Sequence, residues 1–192
     1  MPARERDERP EVEPNTRAAW RAWLAKNHAR STGVWLVLAK RSGAGLGYAE
    51  AVEEALCFGW IDSRTQAIDE TRYRLVMSPR KPKSAWAQSN RARVERLVAE
   101  GRMTAAGLAK IEAAKADGSW TALDAIDALV VPDDLRSALR KDAIARRHFE
   151  AFSPSVKKMI LYWIASAKRE ETRRRRVEQT VAHAAKNAKP IP

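Results

Sequence analysis

The sequence predicts an α+β fold, mostly helical, with a small three-stranded antiparallel sheet and a helical C-terminal module. Three observations point to it. Short apolar or alternating runs cluster between residues 34 and 77, bounded by glycine or charged turns. Elsewhere apolar residues recur at three- and four-residue spacing, the period of a helix with one buried face. The dipeptide Val130-Val131 followed by Pro132 marks a boundary beyond which only helical patterns occur. The chain then divides into a disordered tail (1–14), an α+β core (15–130) and a helical module (131–189).

The elements follow in order. Residues 1–14 mix charges with three prolines and lack apolar periodicity. Asn15 or Thr16 can cap a first helix, whose Trp20, Trp23 and Leu24 share a face. Gly33 leads into Val34–Ala39, a short apolar run that reads as a buried strand. Ser42–Gly47, with three glycines, reads as a turn; it lacks the Lys-Ser/Thr ending of a phosphate loop. Tyr48–Phe58 reads as a helix, with Ala51, Val52, Ala55 and Leu56 inward and Glu50, Glu53 and Glu54 outward, broken by Gly59. Trp60–Ala67 and Thr71–Met77 read as a hairpin turning at Asp69-Glu70. Tyr73, Leu75 and Met77 fall on one face, Arg72 and Arg74 on the other. Ser78–Lys83 is a proline-stiffened loop, and Ser84 can cap a helix running to Glu100 with Gly101 as its stop. Thr104 can cap the next helix, ending at Gly118, and Trp120–Leu129 reads as a short one. Beyond Pro132, helices are expected over Asp133–Lys141, over Ala143–Phe152 with Asp142 as cap, from Ser153-Pro154 onward, and from Arg169 to about Ala185.

Composition narrows the function classes. The 192 residues are 45% hydrophobic and carry a net charge of +12, which suits an anionic small molecule or nucleic acid as partner. A single cysteine, Cys57, allows no disulfide within the chain. At the C-terminal end of a helix its thiolate is disfavoured, so it reads as a small buried hydrophobe. The charged first ten residues lack the apolar core of a signal peptide. The longest apolar run, Met159–Ala167, is about half of the ~18 residues that span a bilayer. A cytoplasmic protein is expected. His28, His148 and His183 lie far apart, so neither a metal site nor a cofactor is expected, and no residue is assigned a catalytic role.

The segment Thr71–Val94 stands out. It holds Arg72, Arg74, Arg80, Lys81, Lys83, Arg91 and Arg93 and no acid. Cations just before a helix start meet the positive end of its dipole, a cost of roughly 0.3–1 kcal/mol each. Either they fan into water, balanced by acids such as Glu50, Glu53 and Glu54, or an anion joins them at the helix N-terminus, with Trp86 and Asn90 on one face. Asp62 either orients Arg72 or Arg74 across the hairpin or serves as acid or base toward a phosphorylated small molecule. The candidate ligand-binding set is Trp60, Asp62, Arg72, Arg80, Lys83, Ser84, Trp86 and Asn90. Arg173–Arg176 encircle a helix, so at most about two of them could share one phosphate backbone.

The stretch Tyr48–Ser63, followed by Ser78–Trp86 and Asn90-Arg91, resembles the bacteriocin-protection, YdeI/OmpD-associated family, as does the helical part from Pro132 to about Lys189. The resemblance implies a non-enzymatic role in resistance to bacteriocins, antimicrobial peptides or stress, and supplies no catalytic residue or cofactor. A protein of +12 repels a cationic peptide, so a decoy role toward such peptides is disfavoured.

Overall fold

The computed structural model describes residues 8–41 and 45–190; the first half of the expected tail and part of the expected Ser42–Gly47 turn lie outside them. The elements are β1 (Glu11–Val12), α1 (Arg17–Asn27), β2 (Val34–Ala39), α2 (Tyr48–Cys57), β3 (Trp60–Ala67), β4 (Arg72–Pro79), α3 (Gln88–Ala99), α4 (Ala105–Ala116), α5 (Asp124–Asp127), α6 (Asp133–Arg140), α7 (Ala143–Ala151), α8 (Pro154–Ala165) and α9 (Glu170–Ala185). They form two compact units, residues 1–121 and 122–192.

The sheet has four strands in the order β1-β2-β4-β3 and is mixed, not three-stranded and antiparallel. The expected hairpin forms, and β2 pairs antiparallel with β4. The fourth strand comes from the segment read as a tail. Glu11–Val12 runs parallel to β2, the Trp35 amide donates to the Pro10 carbonyl, and Glu11 pairs with Arg74. Two residues are too few to show a period, so only the open edge of β2 reveals them as a strand. On β3, Asp62 faces Met77 whereas Thr65 faces Leu75. The extra residue is a bulge, which re-aims the side chains beyond Asp62.

One face of the sheet carries Leu36, Leu38, Leu75 and Met77 into a core shared with α1, α2 and α4. Tryptophans stitch it together. The Trp20 indole donates to the Ala51 carbonyl, the Trp60 indole donates to the His28 carbonyl, and Trp23 stacks on Trp20 and meets Trp60 edge-on. Cys57 is buried as expected, and burial pushes its thiol pKa up.

The outward placing of Glu53 and Glu54 is overturned. Both are buried, and Glu54 has no exposed surface. Arg17 and Arg21 from α1 reach Glu54 at 2.6 and 2.7 Å, and Arg102 bonds it as well. Glu53 is held by Arg17 at 2.8 Å and by Arg96. Helical spacing puts both acids at the border of the apolar stripe, and whether a border residue faces water depends on the neighbouring helices. Burial pushes the Glu54 carboxyl upward, but hydrogen bonds from Arg17 and Arg21 outweigh it and hold the pKa below the ordinary value.

Close packing of α4 on the end of α2 rests on Gly107. A Cβ there would lie 2.3 Å from the Cys57 carbonyl oxygen, the same oxygen that accepts from the Thr104 amide and hydroxyl.

The second unit has its own core of Leu135, Leu139, Phe149, Ile160, Ile164 and Val177. Its starts follow the sequence: Asp142 accepts from the Ile144 and Ala145 amides, and Ser153 precedes Pro154 at the first turn of α8. The expected helix over Trp120–Leu129 shrinks to the single turn of α5. Arg173 pairs with Asp134 at 2.6 Å, and Arg176 bonds the Trp163 carbonyl and the Ser166 hydroxyl while lying 5.2 Å from the Trp163 ring centroid. Among the described residues no helix is long and apolar enough to cross a membrane.

Two outcomes follow. Gly107→Ala forces α4 off the Cys57 carbonyl and lowers stability by about 1–3 kcal/mol, the range for overpacking; chemical denaturation of the purified variant measures it. Glu54→Gln removes the charge that three guanidiniums surround and costs about 3–5 kcal/mol. Because the folded pKa of Glu54 lies below its unfolded value, near the ordinary 4.5, its contribution is present above that pH and fades as pH falls through the folded pKa. The acid limb of a stability–pH curve is therefore shallower in Glu54→Gln than in the wild-type chain.

Candidate functional site

The cavity at the end of β4 is built by three segments. Helix α2 ends at Cys57, and Gly59 takes a left-handed φ of +74°, turning the chain straight into β3. The Gly59 carbonyl then accepts from the Arg80 amide, fixing where the chain leaves the sheet. Gly59 also makes room for α4, since a Cβ there would meet the Lys110 side chain at 2.7 Å. The loop after Arg80 turns tightly, with Lys83 at φ +59°. It ends where the Trp86 amide donates to the Ser119 carbonyl and the Trp86 ring packs 5.0 Å from Trp120.

The resulting cavity of about 80 Å³ is lined by Arg80, Lys81, Lys83, Ser84, Trp86, Lys110, Asp117 and Ser119, together with three small apolar residues. It is the size of a few waters or one phosphate or carboxylate group. Arg80 is 4% exposed. Its guanidinium lies 3.7 Å from the Trp86 ring centroid and donates to the Ala85 carbonyl at 2.9 Å and, more weakly, to Ser84 at 3.5 Å. Its Nε is buried with no hydrogen-bond partner, and among the described residues no carboxylate forms an ion pair with it. Burial pushes the Arg80 pKa down to about 10, partly offset by the Asp62 charge, so it remains a cation at neutral pH. Asp117, the one acid in the lining, is held below its ordinary pKa by Ser119 first and then by Lys83.

The residues singled out from the sequence divide into two groups. Arg80, Lys83, Ser84 and Trp86 meet at this cavity. Trp60, Asp62, Arg72 and Asn90 are outside its lining. Trp60 is buried against Trp23 in the core. Asp62 accepts from the Tyr48 hydroxyl at 2.8 Å and pairs with neither Arg72 nor Arg74; burial, then Asp62, pushes the Tyr48 pKa up to about 12. Arg72 lies at the opposite end of β4, roughly 25 Å from Arg80 by strand rise, and pairs with Asp69 and Glu13. Asn90 accepts from Arg93. Helix α3 begins at Gln88 rather than at Ser84, with Ala87 as an N-cap lacking a side-chain bond. The reason is that Ser84 and Trp86 spend their backbone groups on the turn to Lys81 and on the distant Ser119. Trp86 therefore precedes the helix. Lys110, Asp117 and Ser119, distant from Arg80 in sequence and absent from the expected set, arrive from α4 and the turn after it. The one local signal is Gly59, whose missing Cβ leaves room for the Lys110 stem.

These features define a two-part protein: an α+β unit with a small cationic cavity, followed by a compact helical module. Residues 12–110, just over half the chain, match the profile of a domain of unknown function (DUF8412), and the chain belongs to that family. Residues 128–187 match the profile described as bacteriocin-protection, YdeI or OmpD-associated, so the helical module is a domain of that kind. The motif between Tyr48 and Arg91 lies in the first family's span and not in the second's. No curated protein and no solved structure matches the chain.

A lysine held at φ +59° stores about 1 kcal/mol of backbone strain. Lys83→Gly should therefore raise stability by about that amount, which chemical denaturation of the purified variant measures.

Proposed function

We propose that the α+β unit binds a small anionic group, a phosphate or carboxylate of a larger molecule, in the cavity formed by Arg80, Lys81, Lys83, Ser84 and Lys110. On this reading the protein is a non-enzymatic one of the bacteriocin-protection or stress-resistance type. The observation that carries it is the Arg80 guanidinium, buried with an unpartnered Nε and, among the described residues, with no carboxylate paired to it. A buried ion left unpaired costs several kcal/mol, and an anion facing three lysines in addition to Arg80 offsets that cost with charge-assisted hydrogen bonds. Trp86 supports the guanidinium plane from below.

Nucleic-acid binding draws less support, because Arg74, Arg173 and Arg176, three of the cations it would use, are engaged in intramolecular bonds. An enzyme using Asp62 draws less still, because that carboxylate is held by Tyr48.

The test is a thermal-shift titration with inorganic phosphate and with a nucleotide, comparing wild type with a Lys83→Ala, Lys110→Ala double variant. A ligand at ten times its dissociation constant stabilises by about 1.4 kcal/mol, a shift of a few degrees. The shift is expected in wild type and lost in the variant. Equal shifts in the two would sink the proposal. Tight binding of duplex DNA, with a log–log salt slope of several times −0.9, would instead favour the nucleic-acid reading.

A further inference from the structure

The helical module holds a second cavity, of different chemistry. It measures about 420 Å³ and is lined by Leu129, Val131, Leu139 and Phe149 below and by Arg136, Arg140, Arg146 and Lys157 at the rim, with Glu150 the single acid. Its size falls within the range of small-molecule sites. An apolar floor with a cationic rim is the complement of an amphipathic anion, neither a bare inorganic ion nor a neutral hydrocarbon.

The rim is built by short helices. On α6, Arg136 and Arg140 stand four residues apart, one above the other, a like-charge pair that repels on a helix. Arg136 donates to Asp133 at 2.9 Å and to the Val131 carbonyl at 2.7 Å, which ties the approach of the chain to α6. Lys157 donates to the Glu150 carbonyl at 2.7 Å, and Arg146 lies a loose 4.0 Å from the Glu150 carboxylate. The Arg140 side chain makes no ion pair or hydrogen bond among the described residues, although three further cations line the same cavity. Below it, Leu139 and Phe149 are almost wholly buried and belong to the module's core. The floor is therefore fixed by packing, while the cation above it is uncommitted.

We propose that this cavity binds a carboxylate with a hydrocarbon tail, of the fatty-acid type, the tail lying on Leu129, Val131, Leu139 and Phe149 and the carboxylate meeting Arg140, with Arg146 and Lys157 beside it. The site is independent of the cavity at Arg80, which is lined by other residues of the other unit.

The experiment uses the full chain and decanoate as probe, followed by displacement of a fluorescent anilinonaphthalene sulfonate and by calorimetry. Wild type binds decanoate. Arg140→Glu, which disturbs no existing bond, weakens it by about tenfold or more, the loss of a charged hydrogen bond plus the new repulsion. Decanol, with the tail but no charge, and acetate, with the charge but no tail, bind at least about tenfold more weakly. The Lys83→Ala, Lys110→Ala variant binds decanoate as wild type does. Undiminished binding by Arg140→Glu, or decanol binding as well as decanoate, would overturn the proposal. Capture of an acidic amphipathic peptide without any decanoate binding would overturn it in favour of a protein partner. Loss of decanoate binding in the Lys83→Ala, Lys110→Ala variant would assign the probe to the other cavity and overturn it too.

Discussion

Glu54 is a carboxylate with no exposed surface, and guanidiniums from Arg17, Arg21 and Arg102 converge on it. A charge in that position is tolerable only when it is fully hydrogen-bonded, so three separate stretches of chain must be in place at once. α1 supplies two of the arginines, and the turn after α3 supplies the third. Glu53, one residue earlier, adds Arg96 of α3 to the same assembly. The end of α2 is thereby held against α1 and α3, and that end carries Cys57, Phe58 and Gly59, from which β3 departs.

The remaining architecture of the first unit follows from that anchor. The Cys57 carbonyl receives the start of α4 through Thr104, and Gly107 lets the helix sit against it. The Gly59 carbonyl receives Arg80. The cavity is thus a product of the α2 terminus: Arg80 on one side, Lys110 of α4 on the other, and the Lys83 turn closing it. Its cationic character is local. Many of the chain's other arginines are spent on internal carboxylates, so a net charge of +12 is a poor guide to where an anion would sit.

The family matches divide the chain as its folding does, with one profile on the α+β unit and another on the helical module. The bacteriocin-protection description belongs to the module, in which Arg173 and Arg176 of α9 are engaged in intramolecular bonds. The description therefore does not extend to the α+β unit, whose profile is a different one.

Local chemistry determined most of the elements. Thr16, Thr104, Asp142 and Ser153-Pro154 were readable as helix starts because a cap is a bond between residues two or three apart. The hairpin was readable from alternation, and the buried stripes from helical period. Tertiary structure decided the rest. Strand β1 exists only because β2 offers an edge. Glu53 and Glu54 face inward only because arginines far away in sequence meet them. α3 starts at Gln88 because Ser84 and Trp86 are engaged elsewhere. For the candidate site, proximity along the chain brought Arg80, Lys83, Ser84 and Trp86 together, since one tight loop holds all four. Trp60, Asp62, Arg72 and Asn90 were separated by what sequence distance cannot express: the burial of Trp60 against Trp23, the direction of β4, and a tyrosine from α2 that claims the Asp62 carboxylate. The strong basic balance was plain from the residues alone; that Arg80 is buried with its Nε unpartnered was settled only by packing.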